Sequence, residues 1–239
     1  MSLKKHIPNL ITSLNIACGI VGVVFAFRLR SDVAFALMLA AGVFDFLDGF
    51  AARTLGAYSP VGRELDSLCD VVSFGVLPSI MLHNASLTCM MSESWVCWTP
   101  LLIAVFSALR LAKFNLDERQ TMSFIGLPTP ACAMICGSLC CYAAFEPESF
   151  LCAWIAGPVF VPVLSAVLCA LLVCPLPMFS LKFSRQDSST LVRKRVFLAV
   201  NCLLCLAIVL IAGQHISLAV LLSMTVYVAM NLVFALFKI

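Results

Sequence analysis

The stretch AGVFDFLDGFAARTLGAYSPVGRELDSLCDVVSF, residues 41–74, sets Asp45, Asp48, Asp66 and Asp70 in or beside two of the most apolar segments of the chain. Only 12 of the 239 residues are acidic, so these four aspartates are a third of them. A carboxylate inside a hydrocarbon layer costs about 2.5–3.5 kcal/mol even on insertion scales. Four together must therefore be there for a reason that offsets both burial and mutual repulsion.

The surrounding composition makes the layer a membrane. The chain is 62% hydrophobic and 11% charged, with a mean hydropathy of +1.07, whereas a soluble domain is about half apolar and about a quarter charged. Apolar runs of spanning length fall at about 9–27, 33–53, 66–83, 95–114, 129–145, 151–173, 195–212 and 217–237. They predict an all-α, polytopic helical bundle of about eight transmembrane helices. No linker divides the chain, so a single membrane domain over 1–239 is expected, with 186–239 carrying two C-terminal helices. The basic-then-apolar start, MSLKKHIPNLITSLNIACGIVGVVFAF, reads as a retained first helix rather than a cleaved leader.

Charge placement orients the bundle. With the N-terminus inside, Lys4, Lys5, Arg53, Arg63, Arg110, Lys113, Arg119, Lys182, Arg185, Arg193, Lys194, Arg195 and Lys238 fall on the cytoplasmic side, and Arg28 and Arg30 on the other. Thirteen cations against two predict N-in, C-in. The 13 cysteines are scattered through apolar runs and read as small buried hydrophobes; even CLLC at 202–205 has no His or Asp neighbour. His6, His83 and His215 are isolated from one another and read as interfacial. The basic cluster at 193–195, with Lys182, fits anionic lipid at a membrane surface. Nothing in the composition points to nucleic acid.

At about 100° per residue, Asp45, Asp48, Gly49 and Ala52 share one helix face with Arg53 beside it, and Gly62, Asp66 and Asp70 share another. In the expected topology both stripes meet near one membrane face. The carboxylates stay protonated unless cations neutralise them, and an oxygen-only donor set favours a hard divalent ion, Mg²⁺ or Mn²⁺. Two such ions suit phosphoryl displacement. Helix-end pairing with Arg53 and Arg63 would leave surplus negative charge. An ion path or proton relay in a cation transporter is the other functional reading of intramembrane aspartates.

The window spells D-x2-D-G-x2-A-R-x8-G-x3-D-x3-D, through Asp45, Asp48, Gly49, Ala52, Arg53, Gly62, Asp66 and Asp70. At all eight fixed positions it resembles the signature of the CDP-alcohol phosphatidyltransferases. IPNLITSLNIACG (7–19), DSLCDVVSFGVLPS (66–79), LRLAKFN (109–115) and GLPTPACA (126–133) carry a further likeness to the serine-accepting branch of that family. The resemblance covers about residues 5–185.

It implies the family fold, usually a homodimer, in the cytoplasmic (inner) membrane with its active site near the cytoplasmic face. It implies transfer of the phosphatidyl group from CDP-diacylglycerol to L-serine, giving phosphatidylserine and CMP. Glycerol 3-phosphate or an inositol phosphate is the alternative acceptor. Asp45, Asp48, Asp66 and Asp70 would hold two divalent ions on the CDP diphosphate, with Asp70 also the general base. Gly49, Ala52 and Gly62 would line the cytidine pocket, supported by Arg53, and Asn9 and Thr12 would contact the nucleotide. Arg110 and Lys113, three apart on one helix face, would bind phosphate or the acceptor's carboxylate. Thr129, between Pro128 and Pro130, would face the same cavity.

Overall fold

The computed structural model describes residues 6–90, 94–116, 124–178 and 189–237. Lys4, Lys5, Arg119, Lys182, Arg185 and Lys238, counted in the charge asymmetry, lie outside the described residues. The chain is nearly all helical: α1 (Ile7–Phe27), α2 (Ser31–Leu55), α3 (Pro60–Asp70), a π-helical turn (Val71–Val76), α4 (Leu77–Met90), a 3₁₀ turn (Trp95–Trp98), α5 (Leu101–Leu116), α6 (Thr129–Phe145), α7 (Phe150–Ala156), α8 (Phe160–Val173), α9 (Ser189–Ile211) and α10 (Ser217–Phe237). Two-residue strands β1 (Phe124–Ile125) and β2 (Pro177–Met178) pair antiparallel.

Six of these stretches are long and apolar enough to cross a membrane, with α3 to α4 counting as one. A seventh crossing needs α6 and α7 taken together, although they are bent 109° at their junction. The protein is thus an integral membrane helical bundle. The continuous helix expected over 151–173 is broken: Gly157 adopts an extended backbone, Pro158 follows, and α8 starts only at Phe160. A residue before proline is pushed out of the helical region and proline lacks the donor a helix interior needs. At about 1.5 Å per residue, the 14 residues of α8 reach about 21 Å, short of a hydrocarbon core of about 30 Å.

The third helix also begins earlier than its apolar run. Ser59 caps it, its hydroxyl accepting from the Gly62 amide at 3.0 Å, and Pro60 occupies the first turn. Both are signals of a helix start that a hydropathy window passes over. Asp66 and Asp70 therefore sit well inside the helical stretch rather than at its leading tip.

α1 packs along α2 and against α3, the π turn and α4. Its buried face is small or polar: Pro8, Thr12, Asn15, Gly19, Gly22 and Ala26. The π turn adds a residue, rotating everything after Asp70 relative to what precedes it. Phe74 within the turn and Leu77, Met81 and Leu82 beyond it join Phe35, Met38, Ile103 and Leu139 in one apolar core. All thirteen thiols are free and none is exposed, in keeping with packing roles. His83, expected at the membrane interface, is buried within the protein, with Nδ1 at 2.6 Å from the Cys97 carbonyl and its ring tilted on Trp98.

The segment leading into α6 is clamped to the end of α8. The Gly126 amide donates to Leu176 O at 2.9 Å and the Leu127 amide to Leu171 O at 2.8 Å. Gly126 takes a φ of +78°, and a Cβ there would lie 2.6 Å from Leu172 O. Only glycine meets both demands. Gly126→Ala is expected to destabilise the bundle by about 2–3 kcal/mol, read as a lowered apparent Tm of the detergent-solubilised protein; an unchanged Tm would count against the clamp.

Candidate active site

Helices α1, α2, α3, α5 and α6 bring their polar residues to one end of the bundle. Carboxylate oxygens of Asp45, Asp48 and Asp66 lie within 4.8 Å of one another. Asp48 is buried, while Asp45 and Asp66 are half-buried. Asp70 is also buried and within electrostatic reach of the other three, but it stands outside that tight trio.

Two neutral side chains of α1 hold the buried pair. The Thr12 hydroxyl lies 2.6 Å from Asp48 Oδ2 and 3.0 Å from Pro8 O, the shorter contact being to the carboxyl group. The Asn15 amide donates to Asp70 Oδ1 at 3.3 Å. Ser73, in the π turn, donates to Asn15 O at 3.1 Å and ties the two helices together there. Asn15 is absent from the sequence-derived site, although its signal is present in the chain. Asn9, Thr12 and Asn15 step by three along an apolar helix, the spacing of one face.

Two cavities meet at the aspartates. The larger, about 620 Å³, is lined by Asn9, Thr12, Asp48, Gly49, Ala52, Gly62 and Asp66, together with Tyr58 and Arg63. A Cβ on Gly62 would lie 3.0 Å from Asn9 Oδ1 and 2.9 Å from Ser59 Oγ, so the glycine lets α3 approach α1 here. The smaller, about 280 Å³, is bounded by Asp45, Asp66, Asp70, Arg110 and Thr129, with Arg63, Asn115, Met224 and Tyr227 among its other walls.

Not every anticipated residue joins them. Arg53 lines neither cavity; its Nη1 is 3.9 Å from where a Cβ on Gly49 would stand, over an exposed part of α2. Lys113 lines neither and is exposed, while Arg110 is buried. Residues three apart on a helix lie about 60° from each other around its axis, so two long side chains can still part, one toward the cavity and one toward the surface. Arg63, which the charge count treats only as a topology marker, borders both cavities. It donates to Asn115 O at 3.0 Å, and Asn115 Nδ2 donates to Ser67 Oγ at 3.0 Å and to Glu64 Oε2 at 3.2 Å, linking α3 to the end of α5.

The donor set fits a hard divalent cation, being carboxylate oxygens alone, close together and supported by Thr12 behind one of them. The larger cavity lies within the range of about 300–1,000 Å³ typical of small-molecule sites, and the smaller falls just below it. A large polar ligand and a small one can thus meet over one carboxylate cluster.

Comparison with known proteins agrees with that chemistry. Residues 5–163 match the model of the CDP-alcohol phosphatidyltransferase family, whose members generally depend on divalent metal. A Mycobacterium leprae protein named CDP-diacylglycerol–serine O-phosphatidyltransferase is 38% identical over 165 residues, covering 63% of this chain and 54% of the relative. Its Bacillus subtilis namesake is 38% identical over 133 residues, covering 54% of this chain and 72% of the relative. A Methanocaldococcus jannaschii protein of the same name is 35% identical over 141 residues, covering 58% and 63%. The chain thus spans about half the length of the M. leprae relative.

Asp66→Asn is expected to weaken Mn²⁺ binding by at least about tenfold, and Thr12→Val by about tenfold, with free Mn²⁺ counted by electron paramagnetic resonance. Unchanged affinity in both would remove the trio as a metal site.

Proposed function

Because the chain belongs to the CDP-alcohol phosphatidyltransferase family, we propose that it transfers the phosphatidyl group of CDP-diacylglycerol to the hydroxyl of L-serine, releasing CMP and phosphatidylserine. The observation that carries this reading is the pair of unequal cavities sharing the aspartate cluster. The larger suits a nucleotide. The smaller, with buried Arg110, suits a compact acceptor bearing a carboxylate, which a guanidinium grips through both oxygens. The serine-specific names of the relatives point the same way.

Asp45, Asp48 and Asp66 would hold a divalent ion, Mg²⁺ or Mn²⁺, and Asp70 would complete the ligands for a second. Such ions neutralise phosphate charge and stabilise a leaving CMP. Asn9 and Thr12 line the nucleotide side, where Gly49, Ala52 and Gly62 leave room for a flat ring against the helices. Arg63 lies between the two sides, placed to meet phosphate oxygens. Asp70 borders the acceptor cavity and takes the proton from the serine hydroxyl as that oxygen attacks phosphorus. Its position outside the tight trio favours this role, because an ion held closely lowers a carboxylate's basicity. Asn15 keeps its carboxylate turned to the cavity.

A phosphorylated acceptor, glycerol 3-phosphate or an inositol phosphate, asks for more positive charge than Arg110 supplies once Arg63 is shared with the nucleotide side and Lys113 is outside the lining. A cation path asks for carboxylates continued across the bundle, whereas Phe74, Leu77 and Met81 fill the core beyond Asp70. The expected topology is N-in, C-in, in a homodimer of the cytoplasmic membrane, with the active site near the cytoplasmic face. On that reading a C-terminal fluorescent-protein fusion glows and a C-terminal alkaline phosphatase fusion is inactive; the reverse would overturn it.

The decisive measurement is CMP release by the purified protein with CDP-diacylglycerol, Mn²⁺ or Mg²⁺, and serine, glycerol 3-phosphate or inositol phosphate in turn. Release is expected with serine alone, and Asp70→Asn is expected to lower it by at least about a hundredfold. Release with a different acceptor would keep the family and reject serine. No release from folded protein would reject the transferase reading.

A further inference from the structure

Helix α10 lies beyond residues 5–163, the part of the chain that matches the family. It packs against α6, the helix that starts at Thr129. From there Tyr227 and Met224 wall the smaller cavity. Tyr227 is 1% exposed, and a buried phenol usually finds a polar partner. The phenol lines this cavity beside Arg110 and within electrostatic reach of it, while the Asn231 amide, one turn along α10, donates to the Tyr227 carbonyl at 2.8 Å. The Phe114 ring also meets Arg110, with its centroid 5.3 Å from Cζ. The Phe114 ring thus flanks the guanidinium in the same cavity wall to which Tyr227 contributes.

A long side chain that is already held loses less freedom when its ligand arrives, and its fork meets a carboxylate only if its plane is set beforehand. A second polar atom shares the cavity: Thr129 Oγ1, fully buried and without a hydrogen-bond partner among the described residues. An unpaired buried hydroxyl is costly, and a small polar ligand in the cavity would relieve that cost.

We propose that Tyr227 is a positioning and specificity residue of the acceptor site, and that α10 is present to supply it. It orients Arg110 toward the acceptor's carboxylate, and its ring closes the cavity against larger alcohols. This inference rests on the phosphatidyl-transfer reading, with the acceptor on the Arg110 side.

The test uses the full-length protein and steady-state CMP release by wild type, Tyr227→Phe and Tyr227→Ala. KM is measured separately for serine and for CDP-diacylglycerol, and rates are compared for serine, threonine and glycerol 3-phosphate. Tyr227→Phe keeps the ring and loses the hydroxyl; the expected result is a rise of about tenfold in the serine KM. The CDP-diacylglycerol KM stays within about twofold and kcat falls less than the serine KM rises. Tyr227→Ala is expected to shift the threonine-to-serine rate ratio upward by about tenfold, which Tyr227→Phe does not. A purely structural Tyr227 would move both KM values together, or only the apparent Tm, and would leave acceptor preference alone; either result overturns the proposal. If Tyr227→Ala does not fold, the KM split in Tyr227→Phe decides it. Wild type that uses another acceptor instead of serine overturns the serine reading, and Tyr227 is then judged on that acceptor's KM. Wild type that releases CMP with none overturns both.

Discussion

Four aspartates share one end of an apolar bundle, and much of the architecture around them serves to make that tolerable. Like charges at this spacing cannot all ionise in a low-dielectric surrounding without cations to neutralise them. The structure meets part of the demand with neutral donors: Thr12 against Asp48 and Asn15 against Asp70. Those donors reach the carboxylates because α1 turns its small and polar face inward along α2 and α3. The result is an oxygen cage suited to a divalent ion, so the same repulsion that threatens the fold defines its chemistry.

Asymmetry around the cluster follows from where the helices are interrupted. The Ser59–Pro60 start lets α3 run past the mouth of the larger cavity before it reaches Asp66. The π turn then re-aims the chain, so that Asp70 faces the site while the residues after it fill the apolar core. The Gly126 clamp fixes the turn that carries Thr129 to the end of α8. Each interruption costs some helical hydrogen bonding, and each lies beside a residue of the site. Regular spans elsewhere, α9 and α10 among them, supply the frame.

Much is legible in one dimension. Hydropathy yields the membrane class and most of the spans, because a stretch that must cross hydrocarbon cannot hide its composition. It fails at 151–173, where Gly157 and Pro158 count as nearly neutral in a hydropathy sum yet end a helix. Periodicity places the aspartates on two facing stripes, as observed for the trio. It puts Lys113 on one face with Arg110, yet only Arg110 lines the smaller cavity, because spacing along a helix gives the angle of a Cα but not the path of a long side chain. Three residues of the site escape a linear reading for different reasons. Asn15 is an ordinary polar residue in an apolar helix, and Arg63 is indistinguishable from a charge that merely sets topology. Tyr227 lies more than 150 residues after Asp70.

The sequence alone determined that this is a helical membrane protein with a carboxylate cluster of a recognisable spacing. Those properties depend on composition and on period, which are local. Only the tertiary structure decided that three carboxylates close up while Asp70 stands apart, that two unequal cavities share them, and that a C-terminal helix walls the smaller one. Distances between helices are set by which small residues let backbones approach and by which side chains fill the space between, and neither is written in any single segment of the chain.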